Sequence, residues 1–304
     1  MALPKILMSR VGYVTAQLAE MLSGYELGDR IPNVEGLTAQ LHCGKGTVQA
    51  AFAALEQAGA LALRSRGHLG TFIDAIDHPL LWELAGHRTV TIAMPLPYSR
   101  RYEGLATGLH ATFRDHSIPM SLMFMRGSVE RVGALREDRT DLVVLSALAA
   151  SYEPDVEVVH DFGPETYVHS HCVIVSEGRD PQDPTLRVAV DRSSADLLAL
   201  VEQVFGELPP ERLVEVSYNQ LDHAFHSGAI DATVWNADEV RAHITAPIDV
   251  HPLPQAAGID NTRAVVVRMR KEQPVAVGVR EALTDPAVTA IAAGVVDGRT
   301  TPTY

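Results

Sequence analysis

The chain has 304 residues, 46% of them hydrophobic and only 6% aromatic, so it is long enough for two or three well-packed domains built mainly from Ala, Val and Leu. Its formal net charge of −13 excludes a surface that binds nucleic acid everywhere. The acidity is unevenly spread: residues 1–77 carry 6 Lys and Arg against 7 Asp and Glu, net −1, and the remainder carries 19 against 31, net −12.

Only three lysines occur, Lys5, Lys45 and Lys271, so the basic chemistry is almost all arginine. Cys43 and Cys172 lie far apart with no paired spacing and read as free thiols of a reducing compartment. The first ten residues, MALPKILMSR, lack the apolar core of a signal peptide, and no apolar run is long enough to span a membrane. A cytoplasmic protein without a membrane partner is expected.

From the N-terminus, Val11, Val14, Leu18, Met21 and Leu22 recur at helical spacing and predict a helix over residues 11–23, stopped by Gly24. A loop punctuated by Gly28 and Pro32 follows, then a short helix over 34–41 capped by Asn33. Residues 42–46, HCGKG, make a turn. A third helix, 47–58, buries Val48, Ala51, Phe52 and Leu55 and ends at Gly59. Residues 61–64 and 71–73 pair as a hairpin around Gly67 and Gly70.

Helix, short helix, turn, helix and two-stranded wing describe a winged helix-turn-helix. DNA reading needs polar side chains on the first turn of a helix that fits the major groove, a place held by Lys45, Thr47 and Gln49. The wing offers Arg64, Arg66 and His68 to phosphates or the minor groove.

Residues 11–74 resemble the DNA-binding domain of the GntR family of bacterial regulators. The resemblance is carried by LGDRIP at 27–32, LTAQL at 37–41, Thr47-Val48, LEQAG at 55–59 and Gly70-Thr71-Phe72. Gly44-Lys45 stands where the family usually has Ser-Arg, and Gln49 where it usually has an arginine. Operator preference therefore does not transfer from better-known members.

Residues 77–88, DHPLLWELAGHR, read as a connector with Trp82 and Leu84 packing on a neighbour. Beyond it strands and helices alternate. Strands are predicted near 90–95, 120–124, 142–145, 167–175, 186–190, 213–216, 232–235, 250–253 and 264–270. Helices are predicted near 101–113, 129–136, 194–205, 219–226 and 286–295. Such alternation predicts parallel sheets with helices on their faces.

The chain is thus expected to be a multidomain α+β and α/β protein. A winged helix-turn-helix over 1–77 and a linker over 78–88 precede an effector and dimerisation domain over 89–304. That domain divides into lobes of about 89–165 with 254–304, and 166–253. The two-lobed part resembles the type 2 periplasmic-binding-protein fold used as an effector domain, on the strength of GAIDATVW at 228–235 and its echo RTDLVVL at 139–145. With MPLPYSRRYEGLATGL at 94–109, the whole is similar to YhfZ-type regulators, in which a GntR-like head is paired with this clamshell.

In such a fold the ligand sits between the lobes at strand ends and helix starts, where free N–H groups suit an anion. The candidates are Tyr98, Ser99, Arg101 and Tyr102 after the first strand, Arg126 after the second and Ser146 after the third. The other lobe supplies Arg192, Ser193, Ser194 and Trp235. Arginines and serines converging from two lobes would grip a small carboxylate or phosphate.

His169 and His171, read as sharing a strand face, and His223 and His226, three apart on a helix, lack acidic residues at ligand spacing, so no metal is expected. Gly104-Leu-Ala-Thr-Gly108 lacks the Gly-Lys-Ser ending of a phosphate loop. Catalysis and a cofactor are not expected, since Lys271 is the only lysine beyond residue 77 and no nucleophile or paired-carboxylate motif stands out. The expected partners are operator DNA, a small anionic effector and a second copy of the chain. The competing readings are a binding or scaffold protein with a weakened head, and an enzyme built on the clamshell.

Overall fold

The structure, a computed structural model, describes residues 9–238, 240–253, 259–270 and 275–304. Lys5 and Lys271 lie outside them. The chain divides into two compact units, residues 1–89 with 114–119 and residues 90–113 with 120–304.

The first unit holds α1 (Arg10–Leu22), α2 (Val34–Gln40), α3 (Lys45–Ala58), the antiparallel hairpin β1 (Leu61–Ser65) and β2 (Thr71–Ile76), and α4 (His78–Leu84). Ser9 caps α1 by accepting from the Gly12 N–H, and Asn33 caps α2 by accepting from the Gly36 N–H. Gly59 closes α3 in the left-handed conformation, with φ at +81°. One core joins them, in which Leu18 and Leu22 of α1 meet Leu37, Val48, Leu55, Leu61 and Ile73. The segment read as a connector contributes to that core. Asp77 caps α4, Leu81 enters the same cluster, and the Trp82 indole donates to the Arg88 carbonyl at 2.9 Å.

The second unit contains two five-stranded sheets. The first is built from β3 (Val90–Met94), β4 (Met120–Phe124), β5 (Leu142–Ser146), β6 (Val156–Asp161) and a late strand (Ala264–Met269). Its helices are α5 (Arg100–Asp115), α6 (Ser128–Arg136) and α7 (Ala147–Ser151). The second sheet comprises β7 (His171–Ser176), β8 (Val188–Val190), β9 (Leu213–Glu215), β10 (Ala232–Asn236) and β11 (Ile248–Pro252), with α8 (Ala195–Phe205), α9 (Leu221–His226) and α10 (Val240–His243). The late strand is β12, and α11 (Val277–Thr284) and α12 (Ala287–Val296) complete the chain.

Strand order is β4-β3-β5-β12-β6 in one sheet and β11-β7-β10-β8-β9 in the other. Both sheets are mixed, which corrects the expectation of parallel ones. β3 is parallel to β4 and β5, and β8 to β9 and β10, but β12 runs antiparallel to β5 and β6, and β7 to β10 and β11. The antiparallel strands are those entered by the connections between lobes, which reverse the chain direction. β7 is buried on both faces, with Cys172 and Ile174 in one apolar cluster and Val173 and Val175 in the other. It starts at His171, so residues 167–170 are not strand, and His169 and His171 do not share a strand face. β6, α7, α10 and α11 have no counterpart in the periodicity reading.

Gly104 and Gly108 have a packing role. A Cβ at Gly104 would lie 2.6 Å from the Ala292 carbonyl oxygen, and one at Gly108 would lie 2.3 Å from that of Val288. The absence of two side chains lets α5 and α12 touch backbone to backbone. We expect Gly108→Ala to lower the unfolding free energy by about 1–3 kcal/mol through overpacking against a helix backbone. Gly133→Ala, at a helical glycine with nothing within 4 Å of its built Cβ, should be neutral or stabilising by roughly 0.5–1 kcal/mol. Urea denaturation of both variants checks the contrast.

Candidate functional site

In the head, Lys45, Thr47 and Gln49 stand on the first turns of α3, with Lys45 and Gln49 exposed and Thr47 half-buried. Lys45 lies 3.8 Å from Glu35 on α2, both side chains mostly in solvent, so the pair leaves Lys45 available. On the wing, Arg64, Arg66 and His68 are exposed, but not equivalently. Arg64 is bound to Asp74 across the hairpin at 2.6 Å, and Arg66 lies over the Phe72 ring at 4.6 Å. His68 occupies the turn Gly67–Leu69.

In the second unit, the order of strands explains where a cleft forms. The chain leaves β3 to one side for β4 and to the other for β5. It treats β8 in the same way with β9 and β10. At such reversal points the connecting helices diverge and leave a crevice beyond the carboxyl ends of the strands. The two crevices face one another. The walls are residues after β3 (Tyr98), after β4 (Arg126, Gly127), after β8 (Asp191, Ser193, Ser194), after β9 (Tyr218) and at the end of β10 (Trp235, Asn236). Together they enclose a cavity of about 50 Å³.

The lobes meet directly at this cleft. Gly127, with φ at +74°, has room for no side chain: a Cβ there would lie 2.5 Å from the Ser193 carbonyl oxygen. The Val129 N–H donates to that carbonyl at 3.1 Å, and the Ala195 N–H donates to Ser128 Oγ at 3.1 Å. Ser146 Oγ donates to Asp196 Oδ2 at 2.9 Å, and His243 Nε2 lies 3.0 Å from the Tyr98 carbonyl oxygen.

Aromatic rings form one wall. Tyr98 packs edge-on to Tyr102 at 5.2 Å, tilted against Tyr218 at 5.0 Å and stacked with Trp235 at 6.1 Å, and Tyr102 continues to Tyr167 at 5.0 Å. Burial raises the Tyr98, Tyr102, Tyr167 and Tyr218 phenols above their ordinary range, so this wall is neutral. Cys172 is buried behind it and donates to the Trp235 carbonyl at 3.6 Å; burial pushes its thiol up to about 12.

Four charged groups complete the cleft. Arg131 is buried and donates from Nε to the Val144 carbonyl, from Nη1 to the Met125 carbonyl and from Nη2 to Tyr167 Oη, at 3.0–3.1 Å. Arg126 is partly exposed, bonded to Ser217 Oγ and paired with Asp191 at 3.6 Å. Asp191 Oδ1 accepts from the Ser193 N–H and hydroxyl. Buried Asp196 accepts from the Ser146 and Ser194 hydroxyls and the Leu197 N–H.

Of the ten residues singled out as ligand candidates, Tyr98, Tyr102, Arg126, Ser193, Ser194 and Trp235 line the cavity. Ser99 is buried as the cap of α5, its Oγ accepting from the Tyr102 N–H at 3.3 Å. Ser146 stands behind Asp196. Arg101 lies off the cavity, donating to the Glu165 carbonyl and paired with Asp238 at 3.2 Å. Arg192 is exposed and faces Glu215 at 3.6 Å. Sequence reasoning passed over Arg131, Tyr167, His171, Asp191, Asp196 and Tyr218, all of which line the cavity. Applying the strand-end rule to β9 would have found Tyr218; Arg131 sits on a helix and carries no such signal.

His171 is buried beside Asp196, and burial pushes its imidazole down to about 4 against the pull of that carboxylate. The unfolded chain therefore takes up this proton at higher pH than the folded one. The stability tied to neutral His171 is complete above the ordinary histidine value of 6.5 and is lost as pH falls towards about 4. We expect the melting temperature to drop more steeply between pH 6.5 and 4 in the native protein than in His171→Gln, as calorimetry at matched ionic strength would show.

Comparison with known proteins also divides the chain in two, at residues 73–77, so that α4 falls with the C-terminal part. A family described as a helix-turn-helix domain matches residues 26–73, and one described as the YhfZ C-terminal domain matches residues 77–304. The chain is 32% identical over 297 residues to a protein of Escherichia coli strain K12 called "Uncharacterized protein YhfZ", covering 96% of this chain and 97% of that one. The crystal structure of YhfZ from Shigella flexneri, 32% identical, matches 71% of this chain and all of that one with a TM-score of 0.51. The periplasmic VFT2 domain of BvgS from Bordetella pertussis, 16% identical, matches 73% of this chain and 97% of that one at 0.50, which shows the binding-protein-like clamshell as a fold alone. The chain belongs to the YhfZ family, with a helix-turn-helix segment ahead of a binding-protein-like clamshell.

Proposed function

We propose that the chain is a ligand-responsive transcription regulator with a GntR-type head. Two copies bind operator DNA through their winged helices, with Lys45, Thr47 and Gln49 towards the bases and Arg64, Arg66 and His68 towards the backbone. A small molecule with an anionic group, a carboxylate or phosphate, occupies the cleft and meets Arg126. The observation that carries this reading is the pairing, in one chain, of a winged helix-turn-helix that exposes Lys45, Arg64 and Arg66 with a cleft assembled from the strand ends of two lobes.

The mechanism follows from linkage. A ligand shifts a conformational equilibrium only by its difference in affinity for the two states. A compound touching both walls favours the closed lobes, and closure would alter the spacing of paired heads. Dimerisation is expected because one winged head makes few contacts and two half-sites add avidity. Such a protein works where chromosomal DNA is, in the cytoplasm, and needs neither cofactor nor catalysis.

The DNA arm is tested by selecting duplexes from a random library and measuring affinity against salt. Arg66→Ala should weaken binding across sequences and reduce the salt slope by about one, whereas Lys45→Ala should weaken binding and relax the selected sequence. Arg64→Ala should do less, because Asp74 already neutralises that guanidinium. A native protein that selects no duplex at low salt would overturn the regulatory reading.

A further inference from the structure

The cleft's charge layout restricts what kind of ligand it can accept, given the effector reading above. Arg131 has protein acceptors on Nε, Nη1 and Nη2. That leaves it one N–H on each of Nη1 and Nη2, but Arg131 is only 3% exposed; the guanidinium an entering anion reaches first is that of Arg126, whose side chain is 39% exposed. It is already paired with Asp191, whose side chain is only 9% exposed. A ligand carboxylate can take Arg126 only by weakening that pair. A purely anionic ligand would then leave Asp191 a nearly buried carboxylate without its cation, beside a second buried carboxylate, Asp196. Stranding one partner of a buried ion pair costs far more than the pair itself contributes. A purely cationic ligand that took Asp191 would leave Arg126 to Ser217 and solvent, a smaller cost because its side chain is 39% exposed, but would leave the anion-binding guanidinium unused.

A compound with both charges removes the difficulty. Its anionic group faces Arg126, its cationic group faces Asp191 and Asp196, and one internal ion pair is exchanged for two with the ligand. The remaining wall of neutral tyrosines and Trp235 asks for no charge. The cavity is also small. A cavity needs roughly 10–15 Å³ to hold even one water, so about 50 Å³ holds only a few and admits only a short organic molecule. We propose that the effector is a small zwitterion of the amino-acid class, bound by exchange of the Arg126–Asp191 pair.

Calorimetric titration with the twenty standard amino acids, the D-enantiomers of the chiral ones, and inorganic phosphate tests this on the full chain. The best binder is then compared with its deaminated acid and its decarboxylated amine; for alanine these are propanoate and ethylamine. The expected result is an amino acid that binds about 100-fold or more tightly than either analogue. In Asp191→Asn the preference should invert, with the simple carboxylate gaining affinity over the native protein, a gain that misfolding cannot produce. If propanoate-type acids or phosphate bind the native protein as well as any amino acid, the zwitterion proposal is overturned and the effector reading stands. If no compound binds, the proposal also falls. The effector reading is then judged by whether a dialysable fraction of cell extract raises the melting temperature of the native protein but not of Arg126→Ala.

Discussion

The geometry of the cleft depends on one close approach, the backbone of Gly127 against Ser193. A side chain at residue 127 would stand 2.5 Å from both the carbonyl and the hydroxyl oxygen of Ser193, so only glycine lets the two loops come together. Once they do, the amide of Val129 finds the Ser193 carbonyl and the amide of Ala195 finds Ser128 Oγ. These satisfy groups at the starts of α6 and α8, where helices leave N–H donors without internal partners. The lobes thus cap each other's helices. Residues of both walls, Arg126 from one and Asp191 from the other, are brought within ion-pair distance as a result.

Much of the architecture was legible because it rests on local rules. The apolar spacing of Val48, Ala51, Phe52 and Leu55, closed by Gly59, specifies α3 whatever surrounds it, and Asn33 announces α2 through its capping oxygen. The alternation of strands and helices showed that two α/β layers were present. It did not show strand direction. β7 and β12 are apolar on both faces, as a parallel strand would be, and their antiparallel course follows from the return between lobes rather than from their own residues. His169 was placed on a strand by the apolar run that follows it, yet the strand begins only at His171, where pairing with Asn236 starts.

The site was less legible than the fold, for a related reason. Loops after strands could be named from sequence order, and Tyr98, Arg126, Ser193 and Trp235 were found that way. Which side chains of a loop turn inward is decided by packing across lobes. Arg101 and Arg192 satisfied the rule by position but found partners outside the cavity, Asp238 and Glu215. Asp191 and Asp196 were overlooked because the search was for groups that attract an anion. Their presence changes the cleft from a basic pocket to a charge-balanced one.

The contrast between the two cysteines has a practical consequence. Cys172 lies in the core behind the aromatic wall, its proton held by burial. Cys43 is half-buried in the turn that leads into α3. Thiol reagents attack the thiolate and need access, so in the folded chain they should find the head before the clamshell. A fluorophore or spin label introduced through maleimide chemistry would mark the start of α3 without any engineered mutation, giving a reporter on the helix-turn-helix unit that leaves the clamshell unlabelled.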